Sequence, residues 1–232
     1  MKKLNIIWMM LPLLAIMSCS KDNNEETAPS VKPEASGTMT DVRDGNTYHW
    51  VRYAGLDWTV ENSRYNTGDA GCAIYYTNQT IGQGNGANDQ LTLKNYGYLY
   101  TFSGAKSAAP DGWRLPTDAD YEKLEQALGM SADEVEGDGW RGSYQGTLMT
   151  QGKNGTGLKF LYAGFKNVNS SSYNDNLKFV WLTAYGYYWT STSDAGASVA
   201  YFRKIQFNTG QVWRHTTDMN NMLSVRFVRD AK

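Results

Sequence analysis

Cysteine, histidine and proline are scarce in this chain, with 2, 2 and 5 among 232 residues. Cys19 and Cys72 are too few for a disulfide framework, and no Cys cluster stands at zinc-ligand spacing. Positive charge is not in excess, since 22 Lys and Arg meet 23 Asp and Glu. Without a clustered basic face, nucleic acid is not an expected partner. The apolar run at residues 4–17 is too short to span a bilayer. The glycine-rich residues 82–88 have no Gly-Lys-Ser/Thr after them and no strand leading in, which argues against a phosphate cradle. Their side chains cannot build a core, so a mobile loop is expected there.

That short apolar run belongs to a leader. Lys2 and Lys3 precede it, Asn5 and Pro12 interrupt it, and small Ser18 ends it just before Cys19, so residues 1–18 read as a removable signal peptide. The stretch Ile16-Met17-Ser18-Cys19 resembles a bacterial lipobox, which implies cleavage before Cys19 and acylation of its thiol and new amino group. Each buried CH₂ of those chains would contribute about 0.8 kcal/mol, enough together to hold a domain on a membrane. A plain secretory signal with an incidental cysteine is the alternative. Ser20-Lys21-Asp22-Asn23-Asn24-Glu25-Glu26 resembles the acidic signal that sends Bacteroidetes lipoproteins to the outer surface. The expectation is therefore an outer-membrane lipoprotein facing the cell exterior. Residues 19–40 serve as its lipidated flexible tether, because Pro29, Pro33, Ser30, Ser36 and Gly37 come with almost no large apolar side chain. With Cys19 acylated, Cys72 stands alone, and no His lies near it in sequence; it reads as a packed small residue.

Residues 41–232 form one domain by length, large enough for a real core. Sixteen Tyr, 8 Trp and 7 Phe together with 23 Gly suit many short strands joined by glycine turns, and do not suit a helical bundle. An Asp44-Gly45 turn opens the domain, and residues 47–61 read as a hairpin about Ala54-Gly55. Two short helices are expected: one over residues 101–108, and one opened by Thr117 with Asp120 three residues on as a capping box. Tyr121, Leu124 and Leu128 give the second helix its apolar face, with Glu122, Glu125 and Gln126 turned to water. Strands are expected over residues 158–163, 186–192 and 223–228, with a hairpin formed by 199–207 and 211–215 around Asn208-Thr209-Gly210 and a polar loop over 167–176. The sum is an α+β domain of short antiparallel strands, two short helices and long irregular loops.

Four segments, Asp41-Val42-Arg43-Asp44-Gly45-Asn46-Thr47-Tyr48, Tyr96-Gly97-Tyr98-Leu99-Tyr100, Gly112-Trp113-Arg114-Leu115-Pro116-Thr117-Asp118 and Tyr188-Trp189-Thr190-Ser191-Thr192 with terminal Val225-Arg226-Phe227-Val228-Arg229-Asp230, resemble the Fibrobacter succinogenes major paralogous domain. That family is similar in its motifs to the C-type lectin-like fold, including the formylglycine-generating branch. The resemblance implies terminal strands paired in one sheet, two helices and a long loop region that displays ligand-binding side chains. It does not imply an activity. The Glu-Pro-Asn, Gln-Pro-Asp and Trp-Asn-Asp motifs of calcium-dependent lectins are missing, as is the cysteine pair of formylglycine-generating enzymes. The segments Ser193 to Ser198 and Trp213 to Asn221 also resemble the variable ligand face of proteins diversified by retroelements in gut bacteria.

A binding site is expected in the loops of residues 140–181 and in the closing hairpin. Trp140, Trp181, Tyr185, Trp213 and His215 offer flat faces for a sugar ring, and Asn174, Asp175, Asn176 and Asp194 offer edge contacts to hydroxyls. Trp58, Trp113 and Trp189 are assigned to the core, and Arg114 and Arg226 to structural pairing with buried carboxylates. Catalysis needs a nucleophile with its base or a spaced carboxylate pair. Asp118 and Asp120 are explained by helix capping, and Asp138 has no identifiable partner. The expected function is a surface-anchored, non-catalytic binding or adhesion module for a glycan or a surface protein, with no cofactor and no metal. The alternatives are a structural or accessory subunit of a surface assembly and, behind it, a formylglycine-generating-like enzyme.

Overall fold

A computed structural model describes residues 28–76, 86–172, 174–194 and 196–232. The leader, Cys19 and the acidic segment lie outside the described residues, as do residues 82–85 of the glycine-rich run. The chain enters the fold earlier than its composition suggests. Strand β1 (Ser36–Thr40) pairs antiparallel with β2 (Thr47–Tyr53), with Ser36 opposite Val51, and Ala28 and Val31 pack partly buried against the core. The tether is thus corrected over residues 36–40. Ladder hydrogen bonds come from the backbone and need no apolar side chain, and at Gly37 a Cβ would run into the Trp50 indole, so glycine is what lets that ring cover the strand.

The expected hairpin forms between β2 and β3 (Leu56–Thr59), with Ala54 and Gly55 both at positive φ in the turn. Next come β4 (Cys72–Ile74), α1 (Gly86–Tyr96), β5 (Tyr98–Tyr100), α2 (Phe102–Ser107), α3 (Asp118–Ala127), α4 (Ala132–Val135), β6 (Gly139–Arg141) and α5 (Gln145–Thr150). The two expected helices are α2 and α3, and the described chain adds three more. Helix α1 begins inside the glycine-rich run at Gly86, which corrects the loop expected to extend to residue 88. The Thr117 cap is present in full: Thr117 Oγ1 accepts from Asp120 N at 3.0 Å, and Asp120 Oδ2 accepts from Thr117 N at 2.8 Å.

The chain continues through β7 (Ala163–Lys166), a 3-10 turn at Asp175–Lys178, β8 (Phe179–Leu182), β9 (Tyr185–Asp194), β10 (Val199–Gln206), β11 (Val212–Asp218) and β12 (Val228–Asp230). Residues 158–162 are not strand as expected. Lys159 takes φ +49, which breaks an extended run, and its neighbours Leu158 and Phe160 are core plugs. The final strand is likewise shorter than expected. Residues 223 and 224 make isolated bridges to Tyr100 and Tyr188, and the ladder with β3 starts only at Val228.

Among the described residues three sheets result, of order β1-β2-β3-β12, β6-β11-β10-β9-β7-β8 and β4-β5, and every strand pairing there is antiparallel except β7 with β9. First and last strands share one sheet. The architecture is mixed α+β. The core holds two main clusters. In one, Trp58, Tyr121, Leu124, Phe160, Tyr188 and Ile205 fill the space between the four-stranded sheet, α3 and one face of the six-stranded sheet. In the other, Tyr100, Phe102, Trp113, Trp189, Val225 and Phe227 surround α2. Each such side chain contributes about 1.5–3 kcal/mol on burial.

Candidate functional site: an aromatic sheet face around Lys204

Alternation along β10 divides the six-stranded sheet into a covered and an open face. Arg203 and Ile205 turn toward α3, where Arg203 bonds Asp118 and Glu125 and Ile205 joins the core. Phe202 and Lys204 turn the other way. Register then sets their neighbours: Trp213 of β11 stands opposite Lys204 and His215 opposite Phe202, while Trp140 of β6 stands opposite Trp213 and Tyr187 of β9 opposite Lys204. The open face is therefore built from these four strands at once.

Its rings meet mostly edge to face. Trp140 and Trp213 have centroids 5.4 Å apart, Trp181 and Tyr185 5.3 Å, and Phe165 and Tyr187 4.4 Å. A groove of about 330 Å³ runs beside them, lined by Phe165, Tyr187, Phe202, Lys204, Trp213 and His215, among others. Most of these rings are only half buried. Trp181 is 55% exposed and sits on a backbone at φ +68, a left-handed conformation that costs a bulky residue about 1–3 kcal/mol.

Lys204 lies at the middle. Its Nζ is 4.1 Å from the Trp213 ring centroid, 4.8 Å from that of Trp140 and 5.7 Å from that of Tyr185. Contacts of this kind are worth about 0.5–2 kcal/mol, rising with desolvation. Among the described residues no oxygen bonds or pairs with this ammonium. Burial alone pushes its pKa below the ordinary lysine value. By contrast, Lys166 and Lys178 reach the Asp175 carboxylate at 2.6 and 3.6 Å. His215 is also engaged, its Nδ1 donating to Asp138 at 2.9 Å, which ties β11 to the turn before β6 and gives Asp138 a partner that was not foreseen.

The structure thus gathers Trp140, Trp181, Tyr185, Trp213 and His215 on one side of the sheet. The edge residues it does not gather. Asp175 is held in its two lysine pairs, which depress its pKa, the Lys166 hydrogen bond most. Asp194 closes the β9–β10 turn by accepting from Gly196 N at 3.0 Å and Ala197 N at 3.3 Å. The Asn174 carbonyl accepts from Leu177 N and Ser172 Oγ, and the Asn176 side chain lies outside the described residues. Sequence reasoning passed over Phe165, Tyr187, Phe202 and Lys204. The available signal was the register of Tyr201-Phe202-Arg203-Lys204-Ile205 against Trp213 and Tyr187.

The opposite face is structural. Arg203, Arg141 and Glu125 are buried together; Glu125, expected to face water, accepts from both guanidiniums. Arg114 pairs with Asp120 as expected. Arg226 corrects the expectation for its own pairing, because it meets no carboxylate among the described residues. It is held instead by Asn62 Oδ1 and the carbonyls of Thr59, Val60, Leu158 and Lys159. Cys72 is a buried free thiol, with its Sγ accepting from Thr67 N at 3.3 Å. Among the described residues no three or more His, Cys, Asp or Glu side chains stand where they could hold a metal ion, and no helix is long and apolar enough to cross a membrane.

Fold and site together define a mixed α+β domain that closes its own terminal strands in one sheet and leaves an aromatic face open on another. Residues 51–229 match the family model of the Fibrobacter succinogenes major domain, and the chain belongs to that family. No curated protein and no solved structure matches it.

Proposed function

We propose that this chain is a non-catalytic binding module that grips a glycan with the open aromatic face of its six-stranded sheet. The observation that carries the reading is the half-exposed row Trp140, Trp213, Tyr185 and Trp181. Flat rings of this kind stack on the C–H side of a pyranose, while His215, with Asn167 and Asn221 beside it, lines the polar part of the same groove. Terminal strands in one sheet and long connections support the finer assignment to a C-type lectin-like arrangement. The leader, Cys19 and the acidic segment support an outer-membrane lipid anchor from which the domain is displayed.

A glycan array probed with the full chain in mild detergent, with calcium and with chelator, tests this. Selective binding that survives chelation and is lost in Trp213→Ala and Trp181→Ala is expected. No binding to any glycan sinks the sugar reading. The second reading, a subunit of a surface assembly, is favoured by the exposed apolar side chains Leu177, Trp181 and Phe207. It predicts a stable protein partner on pull-down and no glycan affinity.

A further inference from the structure

We propose that the ligand of this face is an acidic saccharide whose carboxylate or sulfate is received by Lys204; the proposal rests on the glycan-binding reading above. The ammonium of Lys204 is the one charge placed among the rings Trp140, Trp213 and Tyr185, and it has no oxygen partner among the described residues. The nearby carboxylates are already engaged. Asp138 is hydrogen-bonded by His215, and Asp175 is paired with Lys166 and Lys178; on the far side of the sheet Asp118 is paired with Arg203 and Arg214. A cation that has lost part of its hydration and has no counter-ion is a favourable place for an incoming anion, because the charge-assisted hydrogen bond replaces water that burial has already thinned.

Geometry says where the sugar ring lies. Lys204 occupies one side of Trp213, so the ring that offers most free surface is Trp181, 5.3 Å from Tyr185, which in turn is 5.7 Å from the Lys204 Nζ. A pyranose stacked on Trp181, with its edge against Tyr185, presents an acid group on its rim toward Lys204. The strained left-handed backbone that holds Trp181 out to solvent is consistent with this use. An acidic peptide fits less well. Its backbone asks for an open strand edge and it has no flat C–H face to lay on the rings, whereas a saccharide stacks one ring on them and needs one cation for the acid group that ring carries.

Matched probes decide the question without relying on any variant. Oligogalacturonate is compared with its methyl ester, and chondroitin sulfate oligosaccharide with its desulfated form, by calorimetry on the full chain. The expected result is binding of at least one acidic member, with roughly ten- to hundredfold loss when the acid is esterified or removed. The two pairs separate carboxylate from sulfate. Lys204→Met is expected to lose the acidic ligand to the same degree, and Lys204→Arg to retain most of it. Desulfated chondroitin keeps its uronate carboxylates, so only equal affinity within both pairs, with loss in Trp181→Ala, overturns the acidic proposal and leaves the glycan reading standing. An acidic peptide bound as tightly as the oligosaccharide also overturns it. Absence of binding to every saccharide, acidic and neutral, overturns both.

Discussion

Arg203 Nε donates a 2.7 Å hydrogen bond to Glu125 Oε1, and both side chains are wholly withdrawn from solvent. The pair links β10 to α3 directly beneath Lys204, so it bears on the position of the strand that carries the open face. Around it Arg141 shares Glu125 and Arg214 shares Asp118. Breaking a buried pair by removing one partner leaves an uncompensated charge, at a cost of about 3–5 kcal/mol. Glu125→Ala is therefore expected to lower the unfolding free energy measured by urea titration by that amount, and the midpoint with it, whereas an exposed change such as Glu134→Ala leaves that free energy within about 0.5 kcal/mol. An unaltered midpoint in Glu125→Ala refutes the assigned role.

Acid acts on the same network through Asp118. Burial alone would raise its pKa, but hydrogen bonds and charge from Arg214 and Arg203 outweigh burial, and the folded-state value lies below the ordinary 3.8. A carboxyl depressed on folding stabilises the protein fully above its unfolded value and loses that contribution as pH falls through the folded one. Stability measured by denaturant titration should thus be level with respect to this group above about pH 5 and drop below about pH 4. In Asp118→Asn the plateau is lower and the acid-side slope shallower. An unchanged slope removes Asp118 from the acid response.

Arg226 is a different kind of anchor. Its guanidinium satisfies the carbonyls of Thr59, Val60, Leu158 and Lys159, and Asn62 Oδ1 besides, which holds residues 59–62 and the irregular 158–159 segment to the last part of the chain. Lysine carries the charge but not the planar fork. Arg226→Lys is expected to cost about 2–4 kcal/mol in thermal or denaturant unfolding, through carbonyls left without donors. A loss below about 0.5 kcal/mol would show that charge alone is what the site requires.

Features settled within a few residues were legible in the sequence. The Thr117 capping box, the Ala54-Gly55 hairpin, and the burial of Trp58, Trp113 and Trp189 all follow from local chemistry and appear in the structure. What distant partners decide was not legible. Glu125 has the spacing of a solvent-facing residue on α3, yet Arg203, 78 positions on, draws it inward. Arg226 has the look of half an ion pair, but its partners are backbone oxygens, which no pattern of side chains reveals. The candidate face was half legible: its large aromatics stand out by type, while Lys204 reads as an ordinary polar position on an alternating strand. Only the register that sets it opposite Trp213 shows what surrounds it.

Among the described residues the tightest glycine is Gly104. Helix α2 approaches the turn at Gly71 so closely that a Cβ on Gly104 would run into the Gly71 carbonyl and backbone. Backbone cannot swing aside as the end of a side chain can, so Gly104→Ala is expected to destabilise by about 1–3 kcal/mol, although alanine favours a helix. Gly152→Ala, which meets nothing within 4 Å, serves as the control in the same unfolding assay. Equal stability of both variants would show that α2 can shift away from the turn.

The start of the fold gives a last test. Five register pairs join β1 to β2, and Arg52 and Glu34 add two backbone bonds just before it, Arg52 N to Ala35 O at 2.8 Å and Glu34 N to Arg52 O at 3.1 Å. A chain that begins at Asp41 loses all of these, leaves the outer edge of β2 unpaired and uncovers the Trp50 ring that lies on Gly37. At roughly 0.5–1.5 kcal/mol for each net hydrogen bond, partly offset by the entropy of ordering the strand, the loss comes to about 2–4 kcal/mol. A chain that begins at Ala28 keeps the strand and its stability. Hydrogen exchange should find the β2 amides facing β1 protected in the longer chain and open in the shorter one; identical protection would return residues 36–40 to the tether.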